Sequence, residues 1–492
     1  MREEDKISTD IYNDLIRYFD ELSLEVGEHS NIIGVFLHAI MIYLTNYLLL
    51  SNSTDDCQAP VDFPYLNKQY IESPWPINFP RKSDKFPYKS HKVHYKLRLY
   101  ANLHSLLSLF NTKKHLAIDL NSWYLKKYLP ILSNAGFNLK IESQNQCYLP
   151  RIDFQFLFLK QTLKNLTQKY FFETLFDGDS EVFINNFLGY LEQYTSSEKP
   201  VFNDKVEHLL IGSPSTLPSR INAANYLQDG RLVTALSHSK SSIVNFVEPF
   251  FAYGELSYCS NYIDCGNELP IKNLSGSFRL LHATPKIFHC NEDVIKKINS
   301  EKINAPTLYK LNSMSKVAYI PNSMSETHRL GPFRDMDLCK YVKWQRQLIN
   351  TLGKNNINTT VKLHPSSLVK SLAWGESSLE TRELTKVISD YDVFILDYLS
   401  SAHAIIAATN HPVIFFNIGL RNVSLESLEI YKKGARWFDI DLSKNVPEQI
   451  QVALNDVNEN GFVFSSEYTE KYSLNNEAPQ KTMSDLIVDV IM

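Results

Sequence analysis

From Lys113 onward, short apolar runs alternate with longer segments whose apolar positions recur at helical spacing. His115 to Asp119 has the length of a strand. Ser122 to Gly136 reads as a helix, opened by Asn121 and Ser122 and closed by Gly136, and Phe137 to Glu142 reads as the next strand. This β-α-β unit is the building block of a parallel sheet. Leu157 to Tyr194 follows as a helical region broken near Asp177-Gly178-Asp179. Val206 to Ile211 is a strand, Ser219 to Leu227 a helix ended by Asp229-Gly230, and Leu232 to Leu236 a strand running into Ser237-His238-Ser239. Tyr262-Ile263 begins another short element before Cys265-Gly266.

A polar, Lys- and Asn-rich stretch between about 285 and 315 predicts a linker, after which a second alternating series begins. Val317 to Ile320 is a strand, followed by a loop from Pro321 to Asp335 and a helix from Leu338 to Leu352 ended by Gly353. Thr360 to Leu363 is a strand that stops at His364-Pro365, and Leu379 to Ile388 reads as a helix. Val393 to Leu396 is a strand ending at Asp397-Tyr398, Ser401 to Ala408 a helix, and Val413 to Phe416 a strand. Two such series predict an α/β protein of two facing Rossmann-like domains, 111–290 and 312–460. A helical and extended N-terminal region, 1–110, precedes them, and a C-terminal segment, 461–492, is expected to pack back on the first domain.

The N-terminal region changes this picture at two places. Asp56 to Lys92 is dense in proline and aromatic residues and predicts an extended segment wrapped over a domain. Asn31 to Leu50 is apolar and about one bilayer long. It contains Asn31, His38, Thr45 and Asn46, and both flanks are acidic (Glu25, Glu28; Asp55, Asp56), so no Lys/Arg asymmetry orients it. A buried helix is the preferred reading, with a membrane span and peripheral inner-membrane contact as alternatives. The charged start, Met1-Arg-Glu-Glu-Asp-Lys, is not a secretory leader.

Composition narrows the classes. Of 492 residues, 44% are hydrophobic and 21% charged, which is globular. A net charge of −4 gives no basic field, so nucleic acid is not an expected partner. The 27 Tyr and 28 Phe indicate large cores, with ring stacking on sugars as a second use. Cys57, Cys147, Cys259, Cys265, Cys290 and Cys339 include no C-x-x-C pair, so no zinc ribbon or dense disulfide framework is expected. Reduced thiols fit a cytoplasmic protein.

The candidate chemistry sits at strand ends. In Lys362-Leu363-His364-Pro365, the proline stops the strand and restricts His364, presenting an imidazole to a phosphate or leaving-group oxygen. The alternative is a surface histidine beside a turn. The strand Val393–Leu396 delivers Asp397 to the crevice as a donor-binding candidate alongside Lys362, His364 and Pro365, and Ser400 and Ser401 then open a helix whose first N–H groups suit a phosphate. The alternative is an ordinary N-cap. Together, as neighbouring strand ends of one sheet, the two motifs favour a phosphate site. In the loop after Ile320, Ser323 and Ser325 are candidate phosphate donors, and Arg334 a bidentate partner for phosphate or carboxylate.

K-x-H-P followed by D-Y-x-S-S, a helix and x-P-V-I-F-F resembles the donor-binding domain of metal-independent GT-B glycosyltransferases over roughly 315–420. Within these it is most similar to bacterial sialyl-, polysialyl- and Kdo-transferases of surface-polysaccharide synthesis. Teichoic-acid glycerol- and ribitol-phosphate polymerases carry a similar pair. The resemblance implies that His364, Ser400 and Ser401 contact the cytidylate phosphate of a CMP-linked donor. It also implies a saccharide or glycolipid acceptor used in capsule, O-antigen or lipooligosaccharide assembly. The acceptor hydroxyl needs a base, for which Asp119 and His238, each after a strand, are the candidates. Asp177-Gly178-Asp179 matches the acidic-Gly motif of polysialyltransferases poorly and reads better as a helix-breaking turn. Two departures from the family stand out: Gly212-Ser213-Pro214-Ser215 has no carboxylate, and His238-Ser239 replaces His-Gly. Arg220, Asn222 and Asn225 start the next helix near the cleft and read as residues that cap and solvate it, with binding of acceptor hydroxyls as the alternative. No acidic D-x-D is read beside the phosphate motifs, so neither metal nor cofactor is expected. The rival readings are a CDP-glycerol or CDP-ribitol phosphotransferase and a non-catalytic, nucleotide-binding assembly subunit.

Overall fold

The computed structural model describes residues 14, 114–119, 123–142, 149–150, 153–171, 184–185, 188–189, 192, 195–196, 202, 205–212, 214, 217–237, 255–266, 285–299, 311–322, 338–363, 377–420, 423–472, 474 and 481–492. The expectations for 1–110, including Asn31–Leu50, lie outside these residues apart from Asp14, which pairs with Lys169 at 2.5 Å. No helix among the described residues is long and apolar enough to cross a membrane.

Two six-stranded α/β sheets are present, every strand parallel to its neighbours. The first is built from β1 (Lys114–Asp119), β2 (Phe137–Glu142), β3 (Val206–Ile211), β4 (Leu232–Leu236), β5 (Asn261–Cys265) and β6 (Lys286–Cys290), in the order β2-β1-β3-β4-β5-β6. Its helices include α1 (Leu129–Asn134), α2 (Asp153–Phe171), α3 (Leu217–Gln228) and α4 (Asp293–Asn299). The second sheet is built from β7 (Val317–Ile320), β8 (Thr359–Lys362), β9 (Ser378–Glu380), β10 (Val393–Leu396), β11 (Val413–Asn417) and β12 (Arg436–Asp439). Its order is β9-β8-β7-β10-β11-β12. With it run α5 (Leu338–Lys354), α6 (Leu384–Val387), α7 (Ser401–Ala407), α8 (Leu425–Gly434), α9 (Val446–Asn460) and α10 (Glu467–Tyr472); a last helix, α11 (Met483–Ile491), follows them in the chain.

The central strands are continuous apolar runs because helices cover both faces of a parallel sheet. Every residue of Val393-Phe394-Ile395-Leu396 is buried, and fully burying such side chains contributes roughly 2 kcal/mol each. Helices α5 and α9 close one face of the second sheet. Trp344, Leu348, Ile450 and Leu454 pack there with Val317, Val361, Val393 and Phe416.

The structure corrects three local readings. Residues 285–315 are not a plain linker, since β6 and α4 lie within them. Leu379–Ile388 is not one helix: β9 forms first, then the single turn α6 and a 3-10 turn. These two misread strands are edge strands, as is β12, which the sequence reading did not reach, and an edge strand is not apolar on both faces. Their sequences, Lys286-Ile287-Phe288-His289-Cys290 and Ser378-Leu379-Glu380, therefore lack the signal that marks the centre of a parallel sheet. The helix expected from Ser122 begins as a 3-10 segment, Trp123–Tyr128, and becomes α-helical only at Leu129.

The chain's last element belongs to the first sheet's core. Met483, Ile487 and Ile491 of α11 pack with Leu116, Ile118, Leu129 and Ile263. Backbone bonds pin the approach, with Asn291 N–H donating to Lys481 C=O at 3.0 Å and Met483 N–H donating to Asn291 C=O at 3.1 Å. A capping box at Thr482 and Asp485 starts the helix. A second contact between the two halves joins Ile295 and Ile298 of α4 to Ala408, just after α7, and to Leu474. A third lies at Gly266, with φ at +89°, where an added Cβ would stand 2.5 Å from the Tyr472 carbonyl carbon.

Candidate functional site

In an open parallel sheet, the ligand crevice forms beyond the carboxyl ends of the strands where the strand order reverses. In the second sheet that point lies between β7 and β10, whose last residues, Ile320 and Leu396, are register partners. Pro321-Asn322 leaves β7 there, and Asp397-Tyr398-Leu399-Ser400-Ser401 leaves β10. The end of β8, at Lys362, adjoins β7 on the other side.

Asp397 is 2% exposed. Tyr319 Oη–H donates to its Oδ2 at 2.5 Å, Trp344 Nε1–H to the same oxygen at 3.1 Å, and Tyr341 Oη–H to Oδ1 at 3.1 Å. Tyr341 Oη in turn accepts from the Asn322 backbone N–H at 2.7 Å. Burial pushes the Asp397 carboxyl up to about 6, and the hydrogen bonds from Tyr319, Trp344 and Tyr341 oppose that rise. Desolvation therefore outweighs them. All three donors belong to β7 and α5, so the Asp397 carboxylate is held by the side chains packed around it at the end of β10.

Ser400 is the N-cap of α7, with extended backbone, and its Oγ accepts from Ala402 N–H at 3.3 Å. Ser401 follows as the exposed first residue of the helix. Lys362 is 5% exposed and donates from Nζ to the Leu363 carbonyl at 2.8 Å. Burial draws its ammonium below the usual lysine range, and its register partner Glu380 opposes this. Glu380 is itself gripped by Arg382 at 2.6 Å, which holds its carboxyl down to about 2. Lys362 thus ties the end of β8 to the backbone of Leu363, the residue that precedes His364 in the sequence.

In the first sheet the order reverses between β1 and β3, and Asp119 ends β1 at that point. It is 2% exposed, and Asn222 Nδ2–H of α3 donates to it at 3.4 Å. The buried Arg220 donates from Nε to the Pro214 carbonyl at 2.7 Å, tying the first turns of α3 to the loop after β3. Asn222 and Arg220, read from sequence as helix-solvating residues, are instead buried beside the strand ends.

Of the residues singled out by sequence, Asp119, Lys362, Asp397, Ser400 and Ser401 are among those described, while His238, Ser323, Arg334, His364 and Pro365 lie outside them, as do Asp177 and Asp179. The structure brings Lys362, Asp397, Ser400 and Ser401 to one edge of one sheet. It puts Asp119 at the matching edge of the other. Asp390-Tyr391-Asp392 does have D-x-D spacing, but it precedes β10 at the opposite end of the strand. There Asp390 pairs with Arg382 at 3.1 Å, and Asp392 accepts from the Lys316 backbone N–H at 2.8 Å. No group of three or more His, Cys, Asp or Glu among the described residues has the placement to hold a metal ion.

The residues that sequence reasoning missed are Tyr319, Tyr341, Trp344 and Asn322. The available signal was a tyrosine inside an apolar strand, with a Tyr/Trp pair three apart on the next helix. Buried Tyr O–H and Trp N–H groups require an acceptor, and Asp397 is the acceptor at hand.

No protein-family model and no curated protein matches the chain. Three similar solved structures are glycosyltransferases. The glycotransferase of kitacinnamycin has 11% identity, covering 77% of this chain and 98% of that one, with a TM-score of 0.37. The spinosyn rhamnosyltransferase SpnG, complexed with thymidine diphosphate, has 9% identity, 77% and 100% coverage, and a TM-score of 0.34. SnogD from Streptomyces nogalater has 10% identity, 77% and 99% coverage, and a TM-score of 0.30. At these identities and TM-scores the similarity assigns neither a family nor a substrate.

Proposed function

We propose that the chain is a metal-independent glycosyltransferase that takes a CMP-linked ulosonic acid, of Kdo or sialic-acid type, and transfers it to a saccharide or glycolipid acceptor of a surface polysaccharide. One observation carries the reading. The Asp397–Ser401 turn leaves the sheet at its switch point, and β8, the strand leading to His364-Pro365, ends at the same edge. The K-x-H-P and D-Y-x-S-S resemblance adds cytidylate to that placement.

In this reading His364 and the hydroxyls of Ser400 and Ser401 stabilise charge on the departing CMP phosphate. Ser323 and Arg334 approach from the loop after β7. The acceptor oxygen attacks the anomeric carbon, and the bond from that carbon to the phosphate oxygen breaks. CMP leaves with the bonding pair, and the acceptor proton passes to a base on the first domain, Asp119 or His238. The reading puts the reaction in the cytoplasm, where nucleotide-linked donors are made.

A thermal-shift panel of CMP, CDP, UDP and GDP sugars tests the donor. A ligand present at about 100 times its Kd adds roughly 2.7 kcal/mol of stability, a rise of several degrees. CMP sugars are expected to give the largest shift. Release of CMP from CMP-Kdo or CMP-sialate supports the reading, and consumption of CDP-glycerol replaces it with phosphotransfer. No turnover of any donor that binds makes the chain a binding subunit. His364→Ala is expected to lower transfer about 100-fold with an unchanged Tm; unchanged kinetics would remove His364 from the site.

A further inference from the structure

The Asp397 cluster joins three elements at one point. Tyr319 lies on β7, Tyr341 and Trp344 start α5, and Asp397 ends β10. The relay Asn322 N–H to Tyr341 Oη, then Tyr341 Oη–H to Asp397 Oδ1, crosses from the end of one switch-point strand to the end of the other. These are the two strand ends between which the crevice opens.

A carboxylate is an unsuitable direct partner for a phosphate, since like charges close together repel. Here it is also 2% exposed and already surrounded by ring donors. It is nonetheless joined through Tyr341 to Asn322 at the end of β7, and it directly precedes the Tyr398–Ser401 turn. We propose that Asp397 is a positioning residue whose carboxylate, through Tyr341, fixes the end of β7 against the end of β10 and so sets the width of the crevice that receives the donor phosphate. This deepens the glycosyltransferase reading above and rests on it.

Tyr341 is the lever for a test, because Tyr341→Phe removes the relay and keeps the ring in its core. Asp397→Asn keeps one acceptor oxygen and removes the charge. Both are compared, as full-length protein, with wild type and with Leu454→Ala, a core truncation on α9 away from the strand ends. The measurements are CMP affinity by calorimetry, exchange of the Asn322 amide, and Tm without ligand.

The expected result is CMP affinity about tenfold weaker in Tyr341→Phe and Asp397→Asn, with faster exchange at Asn322. Leu454→Ala should lose Tm at unchanged affinity. Wild-type affinity in both site variants would overturn the proposal and leave Asp397 as a fold residue only, as would unchanged Asn322 exchange. A wild-type protein that binds no nucleotide of the panel is a different failure: it removes the donor reading and this inference with it.

Discussion

Gln345 shows how much a single buried side chain can cost. It is fully buried beside Trp344 on α5, and neither amide atom has a hydrogen-bond partner among the described residues. A buried amide without partners costs roughly 1–3 kcal/mol. Methionine has nearly the same length and no polar group to satisfy. Gln345→Met is therefore expected to raise stability by about 1 kcal/mol or more, measured by urea unfolding. A loss of stability would mean that the amide has a partner in the folded protein. Asp397 is the contrasting case, a buried polar group whose neighbours were supplied to match it. Its carboxylate could be located from the sequence but not oriented. A residue that follows a strand can point into the crevice or beneath it, and only the packing of Tyr319, Tyr341 and Trp344 decides which.

At the scale of elements, central strands were legible and, Phe137–Glu142 apart, edge strands were not. Val317–Ile320, Val393–Leu396 and Val413–Phe416 announce themselves because both faces are covered. Lys286–Cys290 and Ser378–Glu380 each have one neighbour and a mixed composition, so they read as linker and helix. The candidate site followed the same rule, since its motifs hang on central strands. Apart from the expected packing of 461–492 on the first domain, the contacts between distant elements had no sequence signal. Gly266 is one of these. Its φ of +89° and the Tyr472 backbone leave no room for a side chain. Gly266→Ala is expected to cost about 2 kcal/mol or more, seen as a lower Tm. A variant as stable as wild type would show that the β5 end and α10 move apart at little cost.

At the scale of the whole molecule, the buried titrating groups set the response to acid. Burial is the main cause holding His208 and His411 down to about 4 and His403 to about 3, from an ordinary 6.5. Between pH 6.5 and 4 the unfolded chain therefore binds protons at these sites that the folded chain does not, and stability falls as pH falls. Asp397 and Glu292, both raised by burial to about 6, act in the opposite sense. Each holds a proton near pH 5 in the folded state that the unfolded chain releases. Over these five groups the balance is a net uptake of about one proton on unfolding near pH 5, or roughly 1.4 kcal/mol per pH unit from them. His403 is the cleanest probe, because its Nδ1 has no partner among the described residues and its ring packs at 3.9 Å from Tyr431. His403→Phe should flatten the stability profile between pH 4.5 and 6 measured by denaturant titration, while an unchanged slope would show that His403 is protonated in the fold.

The return of α11 to the first sheet has a consequence for how the molecule is made. Met483, Ile487 and Ile491 are made after every strand of both sheets, yet they complete the core built on Leu116 and Ile118. Until α11 emerges, the first sheet has an apolar face waiting for it, while all the strands of the second sheet have already been made. Emergence of α11, rather than of β6, is the step that closes the first sheet's core.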